Sequence, residues 1–228
     1  MQAMVITSLL TLAAAASVLL IAAPAARPSL RVGVRFTVAE GAALANRSVG
    51  FTAMAEEADA IWRPHGVAVR AVSLLSPAPP EHEDLRINVH LVARLDHDAG
   101  SATSLGAIVF HGEDGFEPTL RIAVSSVRAL LKDYRFLGRP IAQWPEGAAG
   151  AIQWRALGRV LAHELGHYLV GLPAHRSGGL MRTGFDGHTL AAADRTALEL
   201  DPIDLPRLRA RIMQLVQRAT LARLTQPD

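Results

Sequence analysis

Residues 162–182 read AHELGHYLVGLPAHRSGGLMR, and this short span contains three histidines, a glutamate and a methionine. His163 and His167 are four residues apart, so on a helix they project from one face, about 40° apart and about 6 Å along the axis. Two imidazoles at that spacing can both reach one zinc ion at about 2.0–2.1 Å. The stretch therefore predicts a helix that binds a metal ion through these two imidazoles, and because the chain has no cysteine any further ligands must be nitrogen or oxygen.

Glu164 lies about 100° round the helix from His163, which suits it to point at a water on the metal rather than to bind the metal itself. There it would act as a general base that takes a proton from the water and passes it to a leaving group. An ordinary helix with two hydrogen-bonded histidines is the simpler interpretation. It is weakened because Gly171 ends the helix and His175 follows, which offers a third nitrogen and leaves one position open.

The order of these residues resembles the metzincin pattern of HExxH, glycine, third histidine and methionine-turn: His163, Glu164, His167, Gly171, His175 and Met181. The resemblance implies that the three histidines bind zinc, Glu164 is the base and Met181 lies beneath the metal. Here the glycine comes one residue later than usual and the third histidine two residues later, in a form similar to that of exported bacterial zincins. Glu199, within ALELD, is the alternative third ligand, as in the gluzincin arrangement.

The rest of the chain predicts an α+β fold of the zincin-like kind. We expect a twisted mixed sheet with covering helices, an HExxH helix and a small C-terminal helical lobe. The predicted strands are 30–38, 67–75, 85–95, 105–112 and 119–127, and an irregular link occupies 135–147. The predicted helices are 48–66, 148–171, 189–201 and 205–224. Strand 105–112 is expected at the sheet edge, either as an ordinary edge or as the partner of an extended substrate.

The N-terminal segment, residues 1–26, predicts a signal peptide or an N-terminal anchor, with the zincin-like metallopeptidase domain in 27–228. Residues 4–26 are almost entirely apolar, and Ala23-Pro24-Ala25 has the small-x-small form of a cleavage site. No Lys or Arg precedes the apolar run, which is also long enough to span a bilayer if it is not cleaved. We therefore expect a periplasmic or secreted protein, with membrane contact only through this segment.

The composition of the chain excludes several kinds of site and of function. The chain has no cysteine, which excludes disulfides and thiolate metal ligands. Its net charge of +2 comes from scattered basic residues, which does not indicate a nucleic-acid binder. We expect a zinc metallopeptidase that hydrolyses peptide bonds outside the cytoplasm, with a peptide or protein as substrate. The alternatives are a zincin-fold binding module that holds zinc without turnover, and a membrane-tethered scaffold protein.

Overall fold

The structure is a computed structural model that describes residues 30–72, 83–95, 104–109, 118–171 and 175–225. The predicted signal peptide or anchor, residues 1–26, lies outside these ranges. So do the last residues of the predicted strands 67–75 and 105–112. Within the described ranges no helix combines the length and the apolar character needed to cross a membrane.

The first half of the chain is mostly strands with one long helix after the first strand, and helices dominate the second half. The strands are β1 (Leu30–Val38), β2 (Val67–Ala71), β3 (Leu85–Val92), β4 (Gly106–Val109), β5 (Thr119–Ala123), β6 (Arg135–Phe136) and β7 (Arg139–Pro140). The helices are α1 (Arg47–Trp62), α2 (Val124–Leu131), α3 (Glu146–Val170), α4 (Gly187–Ala191) and α5 (Leu205–Thr225). Short 3-10 turns occupy Arg63–His65, Ile141–Gln143, Thr196–Leu198 and Pro202–Asp204.

Five strands form one mixed sheet in the order β2-β1-β3-β5-β4. The first four are parallel to one another, and β4 runs antiparallel to β5 at the edge. Valine- and leucine-rich sequences suit the central strands because both faces of a parallel sheet are covered. The α+β class, the mixed sheet and the edge position of β4 confirm the predictions at this level.

Helix α3 occupies the centre of the molecule, and all of its residues from Ala156 to Val170 are buried. It packs closely against α1, where a Cβ on Gly158 would lie 2.7 Å from the Met54 carbonyl oxygen. Trp62 Nε1 donates a hydrogen bond to the Ala162 carbonyl at 3.0 Å. The helix that carries the HExxH motif is therefore held by both backbone proximity and a buried hydrogen bond.

The predicted strand 85–95 ends three residues early, at Val92, and two other predicted elements are wrong by more than that. The predicted strand 119–127 ends at Ala123, and α2 begins at Val124, because Val124, Val127 and Leu131 share a buried helix face. The predicted helix 189–201 is broken after Ala191. Carbonyls of Thr189, Ala192 and Asp194 in this segment accept hydrogen bonds from the buried Arg159 guanidinium, which holds the backbone in an irregular path. Local periodicity carries no information about such a distant partner.

The predicted irregular link 135–147 contains a small hairpin of β6 and β7, whose turn residues Leu137 and Gly138 both have positive φ. The final helix was predicted correctly. In α5 the buried residues are Leu208, Ile212, Leu215 and Ala219, which form one apolar stripe. This stripe docks α5 on the rest of the protein.

Candidate metal centre

Helix α3 positions His163, Glu164 and His167 on two successive turns near its C-terminal end. The helix ends where predicted, because Gly171 has φ 88° and leaves the helical conformation. All three side chains are buried, although glutamate is rarely buried unless it is paired. Their burial at one point makes this helix end the candidate site.

The two helix histidines face each other through their Nε2 atoms, which are 3.1 Å apart. Two nitrogens that each lie about 2.0–2.1 Å from a tetrahedral metal are separated by about 3.3 Å. The ring centroids are 4.6 Å apart and the ring planes are nearly perpendicular, at 86°. The pair is therefore already close to the separation that a shared metal ion requires.

The tautomer of His163 follows from its other nitrogen. Nδ1 lies 2.7 Å from the Leu180 carbonyl oxygen, which can only accept, so Nδ1 carries the proton and Nε2 keeps its lone pair. A hydrogen bond of this kind orients metal-binding histidines and raises their basicity. His167 Nδ1 is buried and has no hydrogen-bond partner among the described residues.

His175 joins the two helix histidines from the segment beyond the helix. Its ring centroid lies 5.5 Å from that of His163 and 4.8 Å from that of His167. One ligand nitrogen from each of the three residues lies within 4.8 Å of the others, a grouping that could hold a metal ion. Glu199, the alternative third ligand, does not belong to this group, and its backbone carbonyl instead accepts from the Leu180 amide at 3.0 Å.

The segment after His175 forms a tight turn beneath α3. The Arg176 amide donates to the Met181 carbonyl at 2.7 Å, and the Thr183 amide donates to the Arg176 carbonyl at 3.1 Å. Gly179 has φ 69°, and a Cβ there would lie 2.4 Å from the Glu199 carbonyl oxygen, so the turn requires glycine at this position. Met181 is buried, with 2% of its surface exposed.

Glu164 is buried beside the edge strand. A Cβ on Gly106 of β4 would lie 2.5 Å from Glu164 Oε1, so the strand backbone passes directly over the carboxyl group. Burial raises the pKa of Glu164 to about 8. Within the described part of the chain no salt bridge to a basic side chain offsets this burial.

The buried histidines are held in their neutral form. Burial, together with the neighbouring His163 and His175, lowers the pKa of His167 to about 4. Burial also lowers the pKa of His163, against the opposing effect of the Leu180 carbonyl. Neutral imidazole is the form that binds metal ions, so both rings are ready to act as ligands near neutral pH.

Sequence reasoning missed two neighbours of His163. The Leu180 carbonyl fixes its tautomer, and the Phe185 ring stands edge-on to it at a centroid distance of 5.2 Å. Neither carries a sequence signal, because a backbone carbonyl is present at every position and a lone phenylalanine predicts only a packed side chain. The site also lies apart from the cavity of about 1040 Å³ between the starts of α1 and α3, which none of the three histidines lines.

No family model matches this chain, and no curated protein or solved structure matches it either. The geometry of the site is therefore the evidence for function.

Proposed function

We propose that the protein is a metzincin-like zinc metallopeptidase with a zincin-like fold, which hydrolyses peptide bonds outside the cytoplasm. The observation that carries the proposal is the grouping of His163, His167 and His175 next to the buried Glu164. Three histidines that leave a fourth position free are typical of a catalytic rather than a structural zinc site.

The residues present fit a zinc ion. All three donors are imidazoles, a ligand type suited to zinc, and the absence of cysteine removes the thiolates of structural sites. The 3.1 Å between the Nε2 atoms of His163 and His167 is close to the spacing of two zinc ligands. When bound, zinc would act as a Lewis acid that polarises a carbonyl group and makes water more acidic.

Glu164 supplies the proton transfer. Its carboxylate takes a proton from the attacking water, whose oxygen forms the new bond to the carbonyl carbon. The same proton then passes to the departing nitrogen as the C–N bond breaks, which leaves an acid and an amine. The positive charge of a metal bound at the three histidines would lower the raised pKa of Glu164, since opposite charge favours the ionised form.

Strand β4 favours a peptide as substrate. Within the described residues it pairs only with β5, which leaves its other edge open to an extended chain. Gly106 contacts Glu164, so a peptide paired along this edge would run past the proposed base. This arrangement supports an extended peptide over a compact small molecule.

The test compares wild type with Glu164→Gln on a mixed peptide library, with cleavage read by mass spectrometry and zinc content measured in parallel. Loss of a general base costs about 10²–10⁴-fold in rate. We expect at least a 100-fold loss with unchanged zinc content. Glu56→Gln is the matched control, because Glu56 is an exposed glutamate on α1. If the wild-type protein holds zinc but cleaves no peptide, a zincin-fold binding module without turnover is favoured. If it holds no metal, a membrane-tethered scaffold protein is favoured.

Export is a separate part of the proposal, because it rests on residues 1–26. Protein purified from the extracytoplasmic fraction of its host should have an intact mass that lacks a segment of about this length if the leader is cleaved. Retention of the full mass in the membrane fraction indicates an anchor. Full-length protein in the cytoplasm would contradict export.

A further inference from the structure

His175 differs from the other two histidines in how it is held. His163 and His167 are buried on α3, whereas His175 is exposed and follows the end of that helix at Gly171. Helix geometry fixes the first two rings relative to each other, but it places no constraint on the third. The position of His175 therefore depends on contacts made by its own segment.

Arg176, the next residue, anchors that segment. Its backbone is held in the turn by the Met181 carbonyl and the Thr183 amide. Its side chain reaches Asp204 with two bonds, from Nε to Oδ2 at 3.2 Å and from Nη2 to Oδ1 at 2.5 Å. A two-bond fork between arginine and a carboxylate fixes direction as well as distance. Arg176, which directly follows His175, is therefore held through both its main chain and its side chain.

Asp204 is the fixed end of this contact. It is completely buried and directly precedes Leu205, the first residue of α5. A buried carboxylate is unfavourable unless it is paired, and among the described residues Arg176 provides its only salt bridge. The apolar stripe of α5 docks that helix on the rest of the protein. Asp204 is therefore held in place independently of the segment that carries His175.

We propose that Arg176 and Asp204 are a positioning pair that places His175 within reach of the metal, an inference that rests on the proposed metal site. The pair holds the segment that carries His175 in place before the metal binds. Metal binding therefore does not have to supply the free energy of ordering this segment. It contributes to metal affinity only through His175. Partners in the outer shell of metal sites typically change affinity by about 10–100-fold.

The experiment is a double-mutant cycle on zinc affinity, measured by competition with a chromophoric chelator. Asp204→Asn is expected to weaken binding by about 10–100-fold when His175 is present. In the His175→Ala background the same substitution is expected to change affinity less than about twofold, since the ligand it positions is gone. Asp84→Asn is the control, because the Asp84 side chain is also buried and paired with arginines, Arg31 on β1 and Arg223 on α5, and it should leave zinc affinity unchanged.

The Co²⁺ absorption spectrum gives a second readout. Asp204→Asn should shift the visible bands toward those of His175→Ala, which a loss of global stability alone would not do. If Asp204→Asn does not fold, Arg176→Lys keeps the charge and removes the fork, and it should weaken zinc binding in the same direction.

The outcomes separate this inference from the proposed site. Wild-type affinity in the folded Asp204→Asn or Arg176→Lys variant would overturn the positioning role, as would an equal loss in the His175→Ala background. If His175→Ala itself binds zinc as tightly as wild type, the three-histidine site fails, and the inference fails with it.

Discussion

Met181 lies directly against Gly166, the residue that precedes His167 on α3, and a Cβ at position 166 would come within 2.3 Å of the methionine Sδ. Trp62 approaches the same point, with its Cζ2 at 3.3 Å. The turn after His175 therefore packs on the face of the helix that carries the ligands. The glycine in HELGH makes room for this close contact, and the conformation of the helix does not need it.

Gly166→Ala should consequently destabilise the protein. Extra volume in a packed interior costs about 1–3 kcal/mol, against a gain of about 1 kcal/mol from replacing glycine in a helix. Met181 and Trp62 are both buried and have little room to move aside, so we expect the cost to exceed the gain. Gly150→Ala on the same helix is the control, because nothing lies within 4 Å of its Cβ position, and it should stabilise by about 0.5–1 kcal/mol. Urea unfolding of both variants measures the difference. Equal stability of the two would show that the contact at Gly166 is not restrictive.

The buried ion-pair network between α1 and α3 predicts a large effect at Glu57. Its carboxylate accepts from Arg159 Nε at 2.8 Å and from Arg195 Nη2 at 2.6 Å. Glu57→Gln leaves the buried Arg159 charge without its counter-charge, so we expect a loss of about 3–5 kcal/mol in the free energy of unfolding. Glu56→Gln, at the exposed neighbour, should stay within about 0.5 kcal/mol in the same measurement. Similar results for the two variants would contradict the importance of the network.

Asp84 predicts a pH-dependent contribution to stability. Burial alone would raise its pKa, but hydrogen bonds from Arg31 and Arg223 outweigh burial and lower the pKa below its usual value. A lowered folded-state pKa stabilises the protein above the unfolded-state pKa of about 3.9, and this stabilisation is lost as the pH falls through the folded-state pKa. The difference in unfolding free energy between wild type and Asp84→Asn, both metal-free, should therefore be largest near pH 7 and shrink toward pH 3. A difference that is constant from pH 7 to pH 3 would contradict a stabilising role of the ionised Asp84.

Metal removal should lower thermal stability through mass action. A ligand that binds only the folded state stabilises it by about 2.7 kcal/mol at 100 times its dissociation constant. We expect chelation to lower the Tm of wild type, and readdition of zinc to restore it. The shift should be smaller in His175→Ala, since two nitrogens hold the metal more weakly than three. Equal shifts in both proteins would exclude His175 as a ligand.

The sequence predicted those parts of the site that depend on local helix geometry. The spacing of His163 and His167 on a helix is sufficient to bring their rings together, and Gly171 marks the helix end correctly. The grouping with His175 was predicted from its place just after Gly171 and from the family resemblance, and not from a repeat pattern, because the segment that connects it has no periodicity to constrain its path. The alternation of apolar residues likewise indicated the five strands of the mixed sheet, but not their order.

What the sequence could not predict involves contacts between distant residues. Arg159 and Glu57 are 102 positions apart, and Arg176 and Asp204 are 28 apart. An arginine in a helix usually indicates a solvated face, and nothing in the local sequence shows that Arg159 is 1% exposed. The same applies to the Leu180 carbonyl, whose role follows from the path of the turn and not from its side chain.

Anomalous scattering at the zinc edge, from a crystal of the zinc-loaded protein, tests the three-histidine site most directly. We expect one strong peak about 2.0–2.1 Å from a ring nitrogen of each of His163, His167 and His175, with Glu164 nearby but not bound to the metal. A peak that is bound by Glu199 in place of His175, or the absence of any peak between the two helix histidines, would contradict the site.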